Sequence, residues 1–116
     1  MTTKPPIDVA NTKAQMRKGI LEFCILLVIS EGEAYASDIL KELQAANLIV
    51  VEGTLYPLLS RLKNAGLLMY DWSESKNGPP RKYYSLTPQG RKFLDQLSET
   101  WTALDRSINT LMKKFN

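Results

Sequence analysis

The chain has 116 residues, a formal charge of +3 and a pI near 9.0, which allow one modest domain with a basic lean. With no histidine and one cysteine, a histidine-based catalytic triad and a zinc site built from a His or Cys cluster are excluded. No acid–base pair or phosphate-cradling glycine loop is found, so neither an enzyme nor a cofactor is expected.

Residues 1–8, with Pro5 and Pro6, read as a flexible polar arm. This is not the composition of a signal peptide, and the apolar run Ile20–Ile29, interrupted by Glu22, is too short to span a bilayer. A cytoplasmic location and no membrane partner are expected. The run belongs to a first helix from about Val9 to Glu31. Met16, Ile20, Phe23, Cys24, Leu27 and Val28 share one face, and Leu21, Ile25 and Ile29 cover the flank. A helix apolar most of the way round is expected to be buried on two sides, by its own domain and by a partner. Cys24 has no adjacent cation to make it reactive and reads as a structural thiol. Gly32 is the expected stop.

A second helix is expected over Tyr35 to Ala46, with Ile39, Leu40 and Leu43 inward and Ser37, Asp38, Lys41 and Glu42 outward. Asn47 to Val51 is apolar and β-branched, and is expected as a brief strand at the foot of a hairpin. A third helix covers Glu52 to Gly66, EGTLYPLLSRLKNAG. Leu55, Leu58, Leu59 and Leu62 make its apolar face, while Thr54, Tyr56, Ser60, Arg61 and Lys63 leave the opposite face polar and basic. Pro57 sets the helix start only a few residues earlier, Thr54 is a candidate cap, and Gly66 suits a left-handed end.

Leu67–Ser73 and Arg81–Leu86 are strand-like, joined through the turn signal Asn77-Gly78 and a stiff Pro79-Pro80. From Lys76 to Lys92 there are five basic residues (Lys76, Arg81, Lys82, Arg91, Lys92) and no acidic one, a patch suited to a polyanion. Thr87-Pro88 opens the last helix, Thr as cap and Pro in the first position. Leu94, Leu97, Trp101, Leu104, Ile108, Leu111 and Phe115 follow at alternating gaps of three and four, a heptad seam. At 1.5 Å per residue this helix is about 40 Å long, more than a small domain can cover. It forms either a dimer interface with the first helix or an intramolecular hairpin with it.

Helix, linker, helix, then basic hairpin is the order of a winged helix-turn-helix, whose second helix enters the DNA major groove. The expected class is mainly α with a small β-hairpin (α+β). Residues 9–87 form the winged helix-turn-helix, with the first helix (9–31) also in the dimer interface, and 88–116 form a C-terminal dimerisation helix. The alternative is a plain packed amphipathic helix with a solvated basic face, or a winged-helix module used only for protein–protein contact.

GTLYPLLSRLKNAGLL, followed by PRKYYSLTPQG and a last helix containing a Trp, resembles the PadR family of bacterial transcription regulators. The likeness runs from about Gly32 to the C terminus, and the short last helix is most similar to the compact, multidrug-sensing LmrR-like members. It implies a homodimeric repressor of its own gene and a neighbouring transporter or detoxification gene, bound to double-stranded DNA at a palindromic operator. Tyr35 matches the aromatic residue opening the second helix. Thr54, Leu55, Tyr56 and Pro57 match the recognition-helix signature, followed by Arg61. Arg81, Lys82, Tyr83 and Tyr84 match the wing strand, and Thr87 and Gly90 the start of the last helix. Ala36 and Ser37 stand where a Gly and a second Tyr are common, and Val51 where a polar cap is usual. Pro80 and Ser85 stand where arginines occur in the compact members, which loses two candidate phosphate contacts per subunit; either the wing binds more weakly or it uses Lys76 instead.

In a two-fold dimer the recognition helices reach successive major grooves when held roughly 34–36 Å apart. Tyr56, Ser60 and Arg61 are the candidate groove contacts, with Tyr56 alternatively packing on Tyr35. Lys63, Lys76, Arg81 and Lys82 are candidates for phosphate, and Tyr35, Ser37 and Thr54 complete the DNA-binding set. The candidate dimer contacts are Leu94, Leu97, Trp101, Leu104, Ile108 and Leu111. The resemblance further implies a hydrophobic pore between subunits. There, paired Trp101 rings clamp a planar hydrophobic or cationic effector near Asp105, with walls from Met16, Ile20 and Phe23. Otherwise Trp101 is an interface anchor and Asp105 a solvated residue.

Overall fold

The computed structural model describes residues 7–48, 50–74 and 77–116; the first six residues of the expected arm and Lys76 therefore lie outside the described residues. Six elements follow in order: α1 (Val9–Ser30), α2 (Ala36–Ala45), α3 (Glu52–Asn64), β1 (Leu68–Ser73), β2 (Arg81–Leu86) and α4 (Pro88–Phe115). Four helices and one antiparallel hairpin are the winged helix-turn-helix arrangement expected from the sequence.

Local chemistry sets the boundaries. The Asp8 carboxylate caps α1 by accepting from the Ala10 N–H at 2.9 Å. α2 and α3 end alike, each on a residue in the left-handed region: Asn47 at φ 63° and Gly66 at φ 80°. After α2, the Leu48 N–H donates to the Leu43 carbonyl at 2.8 Å and Asn47 to Gln44 at 2.9 Å. After α3, Leu67 donates to Leu62 and Gly66 to Lys63, both at 3.0 Å. This pairing satisfies carbonyls that the helix leaves open, and the residue after the turn folds back as an apolar plug. Leu48 and Leu67 both pack on the core.

The same turn overturns the expected strand at Asn47–Val51. Its described residues form a turn and linker, because left-handed Asn47 is committed to closing α2. The extra bridge to the hairpin comes instead from Ala34, which donates to the Tyr84 carbonyl at 3.0 Å and accepts from the Tyr84 N–H at 2.9 Å. Thr54 is not the cap of α3 either. Val51 occupies that position without a side-chain hydrogen bond, and Thr54 lies exposed inside the helix.

The core is built from Ile25, Leu26 and Ile29 of α1, Ile39 and Leu43 of α2, Leu55, Leu59 and Leu62 of α3, Leu68 and Tyr84 of the hairpin, and Leu94 of α4. On α1 the flank residues Ile25 and Ile29 thus turn inward, while Met16 and Leu27 of the other face are exposed. Leu94, expected in the dimer seam, is only 3% exposed and belongs to the chain's own core. It is buried because α4 is docked at its first turns: Thr87 donates its hydroxyl to the Gly66 carbonyl at 2.6 Å and accepts from the Gly90 N–H at 2.9 Å. Beyond Ser98, every α4 residue is exposed.

Candidate nucleic-acid interface

In the hairpin, Leu68 pairs with Leu86, Tyr70 with Tyr84 and Trp72 with Lys82; the alternate pairs are Met69–Ser85, Asp71–Tyr83 and Ser73–Arg81. Because side chains alternate across a sheet, Tyr70, Trp72, Lys82 and Tyr84 share one face and Ser73, Arg81 and Tyr83 the other. Trp72, Lys82 and Tyr84 of the first set and Arg81 of the second border a cleft of about 430 Å³ between the start of α2, the polar side of α3 and the hairpin. Tyr35, Ser37, Tyr56, Ser60, Trp72, Arg81 and Lys82 are among its walls, together with the carboxylate-bearing Glu52.

Arg81 is the most constrained cation there. Its guanidinium carbon stands 4.1 Å from the centroid of the Tyr35 ring, and Nη2 donates to Ser37 Oγ at 2.6 Å. Tyr35 is itself fixed three ways. Its ring packs against Tyr83 at 4.6 Å between centroids, its hydroxyl donates to Ser73 Oγ at 3.0 Å, and its backbone N–H donates to the Asp38 carboxylate at 3.0 Å. A planar guanidinium resting on a fixed ring loses little further freedom when it binds an anion, and its other N–H groups stay open. Lys82 is steered similarly, with Nζ 4.5 Å from the Tyr70 centroid and 5.6 Å from that of Trp72. Lys63 Nζ lies 5.6 Å from Tyr70 on the α3 side. Burial first, then the neighbouring Tyr56 and Tyr70, pushes the Tyr84 phenol above its ordinary range. Tyr84 therefore stays neutral and brings no negative charge to the site.

Of the residues read from the sequence as DNA contacts, the cleft gathers Tyr35, Ser37, Tyr56, Ser60, Arg81 and Lys82, with Lys63 on an adjoining hollow shared with Ser60 and Lys82. The aromatic ring packed on Tyr35 is that of Tyr83. Thr54 is exposed on α3. Arg61 points elsewhere: five residues after Tyr56 it is rotated by about 140° around the helix, and Nη1 lies 2.9 Å from Oε1 of Glu22 on α1. Two participants were missed from the sequence. Trp72, 62% exposed, is a cleft wall, and strand alternation with Tyr70 was the signal for it. Glu22 was visible as a carboxylate inside an apolar run.

The candidate dimer and effector residues lie on α1 and α4 and do not line the cleft. Leu97 is half-buried, whereas Trp101 (42% exposed), Leu104, Ile108 and Leu111 form an open apolar row along α4. Asp105, one turn beyond Trp101, accepts from Asn109 Nδ2 at 3.2 Å. Met16 is exposed on α1, and Ile20 and Phe23 are half-buried. Among the described residues, no helix is long and apolar enough to cross a membrane.

The family profile described as transcriptional regulator PadR-like matches residues 25–96, from the buried half of α1 into α4. The chain belongs to the PadR-like family of transcriptional regulators. A solved PadR-like transcription factor from Bacteroides fragilis is 57% identical, with a TM-score of 0.75, over 87% of this chain and 98% of that one. A PadR family regulator from Eggerthella lenta superposes with a TM-score of 0.80 at 31% identity, over 90% of this chain and 91% of that one. Transcriptional regulator Rv3488 of Mycobacterium tuberculosis is 30% identical over 81% of this chain and 87% of its own length. PadR regulators bind DNA and typically dimerise, so this PadR-like protein is a DNA-binding regulator of transcription and not an enzyme.

Proposed function

We propose that this PadR-like protein is a homodimeric repressor of the compact LmrR-like type, bound in the cytoplasm to a palindromic operator upstream of its own gene and a neighbouring transporter or detoxification gene. α3 enters the major groove with Tyr56 and Ser60 toward the bases, and Arg61 reaches the groove edge from the far flank. Arg81, Lys82 and Lys63 hold phosphates on the wing side, and Lys76 adds to them.

The observation that carries this reading is the Arg81 clamp. A guanidinium stacked on Tyr35 and tied to Ser37 stands at the N-terminal end of α2. The first N–H groups of a helix have no partner within it, and they and the dipole favour an anion at that end. A pre-oriented guanidinium beside a helix N-terminus is a phosphate seat, and the polar face of α3 borders the same cleft.

Two subunits join through the open row Trp101, Leu104, Ile108 and Leu111 together with the exposed face of α1. An uncovered apolar stripe of this length is a typical mark of an interface. The paired Trp101 rings, with Asp105 nearby, take a planar hydrophobic or cationic effector that relieves repression. Fluorescence anisotropy with labelled duplex from immediately upstream of the gene, a scrambled competitor and a salt series tests the reading. Tight, competitor-resistant binding is expected. If the dimer neutralises about eight phosphates, affinity falls by about three to five powers of ten between 50 and 200 mM salt. No binding at low salt by a confirmed dimer would refute it.

A further inference from the structure

Arg61 and Glu22 form the ion pair seen among the described residues, Nη1 to Oε1 at 2.9 Å, with side chains 73% and 29% exposed. The pair joins two elements with different tasks. α3 carries the groove-facing side chains, and α1 carries Ile25, Leu26 and Ile29 into the core and leaves Met16 and Leu27 open. Unlike Arg81, whose hydrogen-bond partner is a neutral hydroxyl, Arg61 already has a carboxylate as acceptor, Glu22 Oε1 at 2.9 Å from Nη1. A carboxylate and a phosphate oxygen offer a guanidinium the same chemistry, a charged acceptor in the plane of the fork. They therefore compete for Arg61.

We propose that Glu22 is a specificity-determining residue of the DNA interface, an internal phosphate mimic that holds Arg61 until DNA displaces it. This rests on the DNA-binding reading above. Glu22 is more buried than Arg61 and sits on a helix anchored in the core, so the arginine is the partner that moves. Exchange removes one ion pair and makes another, so Arg61 adds little net affinity to an arbitrary phosphate. It contributes only where the duplex places an acceptor in better geometry than Glu22. A recognition helix with Arg61 permanently free would instead bind any duplex more tightly.

The test is a double-mutant cycle read as affinity for two probes, a duplex from upstream of the gene and a scrambled duplex of equal composition, at low and moderate salt. Glu22→Gln is expected to tighten binding to the scrambled duplex by up to about fivefold per protomer, the range of an exposed ion pair, with a smaller gain on the upstream duplex. Arg61→Gln weakens binding to the upstream duplex. In the Arg61→Gln background, Glu22→Gln has no further effect, since Glu22 acts through Arg61. Additive effects would mean that Glu22 merely repels DNA, and would overturn the proposal. So would unchanged or weaker binding by Glu22→Gln with a native thermal melt, which would make the pair a scaffold for α3. Absence of binding by the unsubstituted protein to either duplex at low salt would overturn the DNA-binding reading as well, which separates the two failures.

Discussion

Gly90 is the place where the fold leaves least room, and replacing it with alanine gives a prediction that can be worked from distances. A Cβ at this position would lie 2.0 Å from the Leu67 carbonyl oxygen and 2.9 Å from its carbon. Both atoms are backbone of the link between α3 and β1, so no rotamer change relieves the overlap. α4 must back away by about 1 Å, at the cost of about 1–3 kcal/mol seen for overpacking. That displacement also loosens Thr87, whose oxygen accepts from the Gly90 N–H and whose hydroxyl donates to the Gly66 carbonyl; a lost cap adds about 1 kcal/mol. Together these predict about 2–4 kcal/mol and a melting temperature lower by roughly 8–16 °C for a chain of this size. Gly19 supplies the control, because a Cβ there meets nothing within 4 Å on exposed helix α1. Gly19→Ala should gain up to about 1 kcal/mol from helix propensity and melt a few degrees higher. The assay is circular dichroism melting at matched protomer concentration, since the proposed dimerisation would make the midpoint concentration-dependent. If Gly90→Ala melts within about 2 °C of the parent, the range of an ordinary surface substitution, the close approach of α4 to Leu67 does not hold α4 in place.

Arg81→Ala should weaken binding to specific and scrambled duplexes alike and flatten the salt slope by about 0.9 per protomer, one phosphate contact each; an unchanged slope in an anisotropy titration would remove Arg81 from the phosphate seat. Trp101→Ala should abolish effector binding, followed by fluorescence of a planar cationic dye, while light scattering still reports a dimer mass; a monomer would make Trp101 an interface anchor. Cys24 should alkylate slowly. Burial pushes its thiol up from the ordinary value of 9.0, so its thiolate fraction at pH 8 is below that of a free cysteine. Iodoacetamide labelling should therefore accelerate with pH beyond that ordinary value and reach the free-thiol rate in urea, and fast labelling of the native protein at pH 8 would contradict the burial.

The parts of the fold that could be read from the chain were those with a period or a local cap. Leu55, Leu58, Leu59 and Leu62 gave α3 its inward face, and Thr87-Pro88 gave the start of α4, because both depend on residues within a few positions of each other. The mistaken strand at Asn47–Val51 shows where that limit lies. Apolar, β-branched composition suits a strand, but the closing turn of α2 needed a left-handed residue, and Asn47 supplies it. Ala34 then provides the bridge to Tyr84, a pairing across fifty positions that no local signal encodes. Leu94 is a similar case. It obeys the heptad spacing of the seam, yet the Thr87–Gly66 hydrogen bond draws that end of α4 onto the domain and buries it.

The cleft divides the same way. Basic residues on β2 and a polar face on α3 were legible, and the structure brings four of them, Arg81, Lys82, Tyr56 and Ser60, to one opening with Tyr35 and Ser37 from the start of α2. A helical wheel assigns a side chain to a flank without saying what stands opposite it. On the Tyr56 flank stand Tyr35, Trp72 and Lys82; on the Arg61 flank stands Glu22. Charges that count equally in the sequence therefore differ in the fold. Arg81 and Lys82 are oriented by aromatic rings and keep their full charge for an incoming anion, whereas that of Arg61 is already opposed at 2.9 Å. The electrostatic pull of this surface should accordingly come from the hairpin side, and Arg61 should affect which duplex is retained more than how fast any duplex arrives.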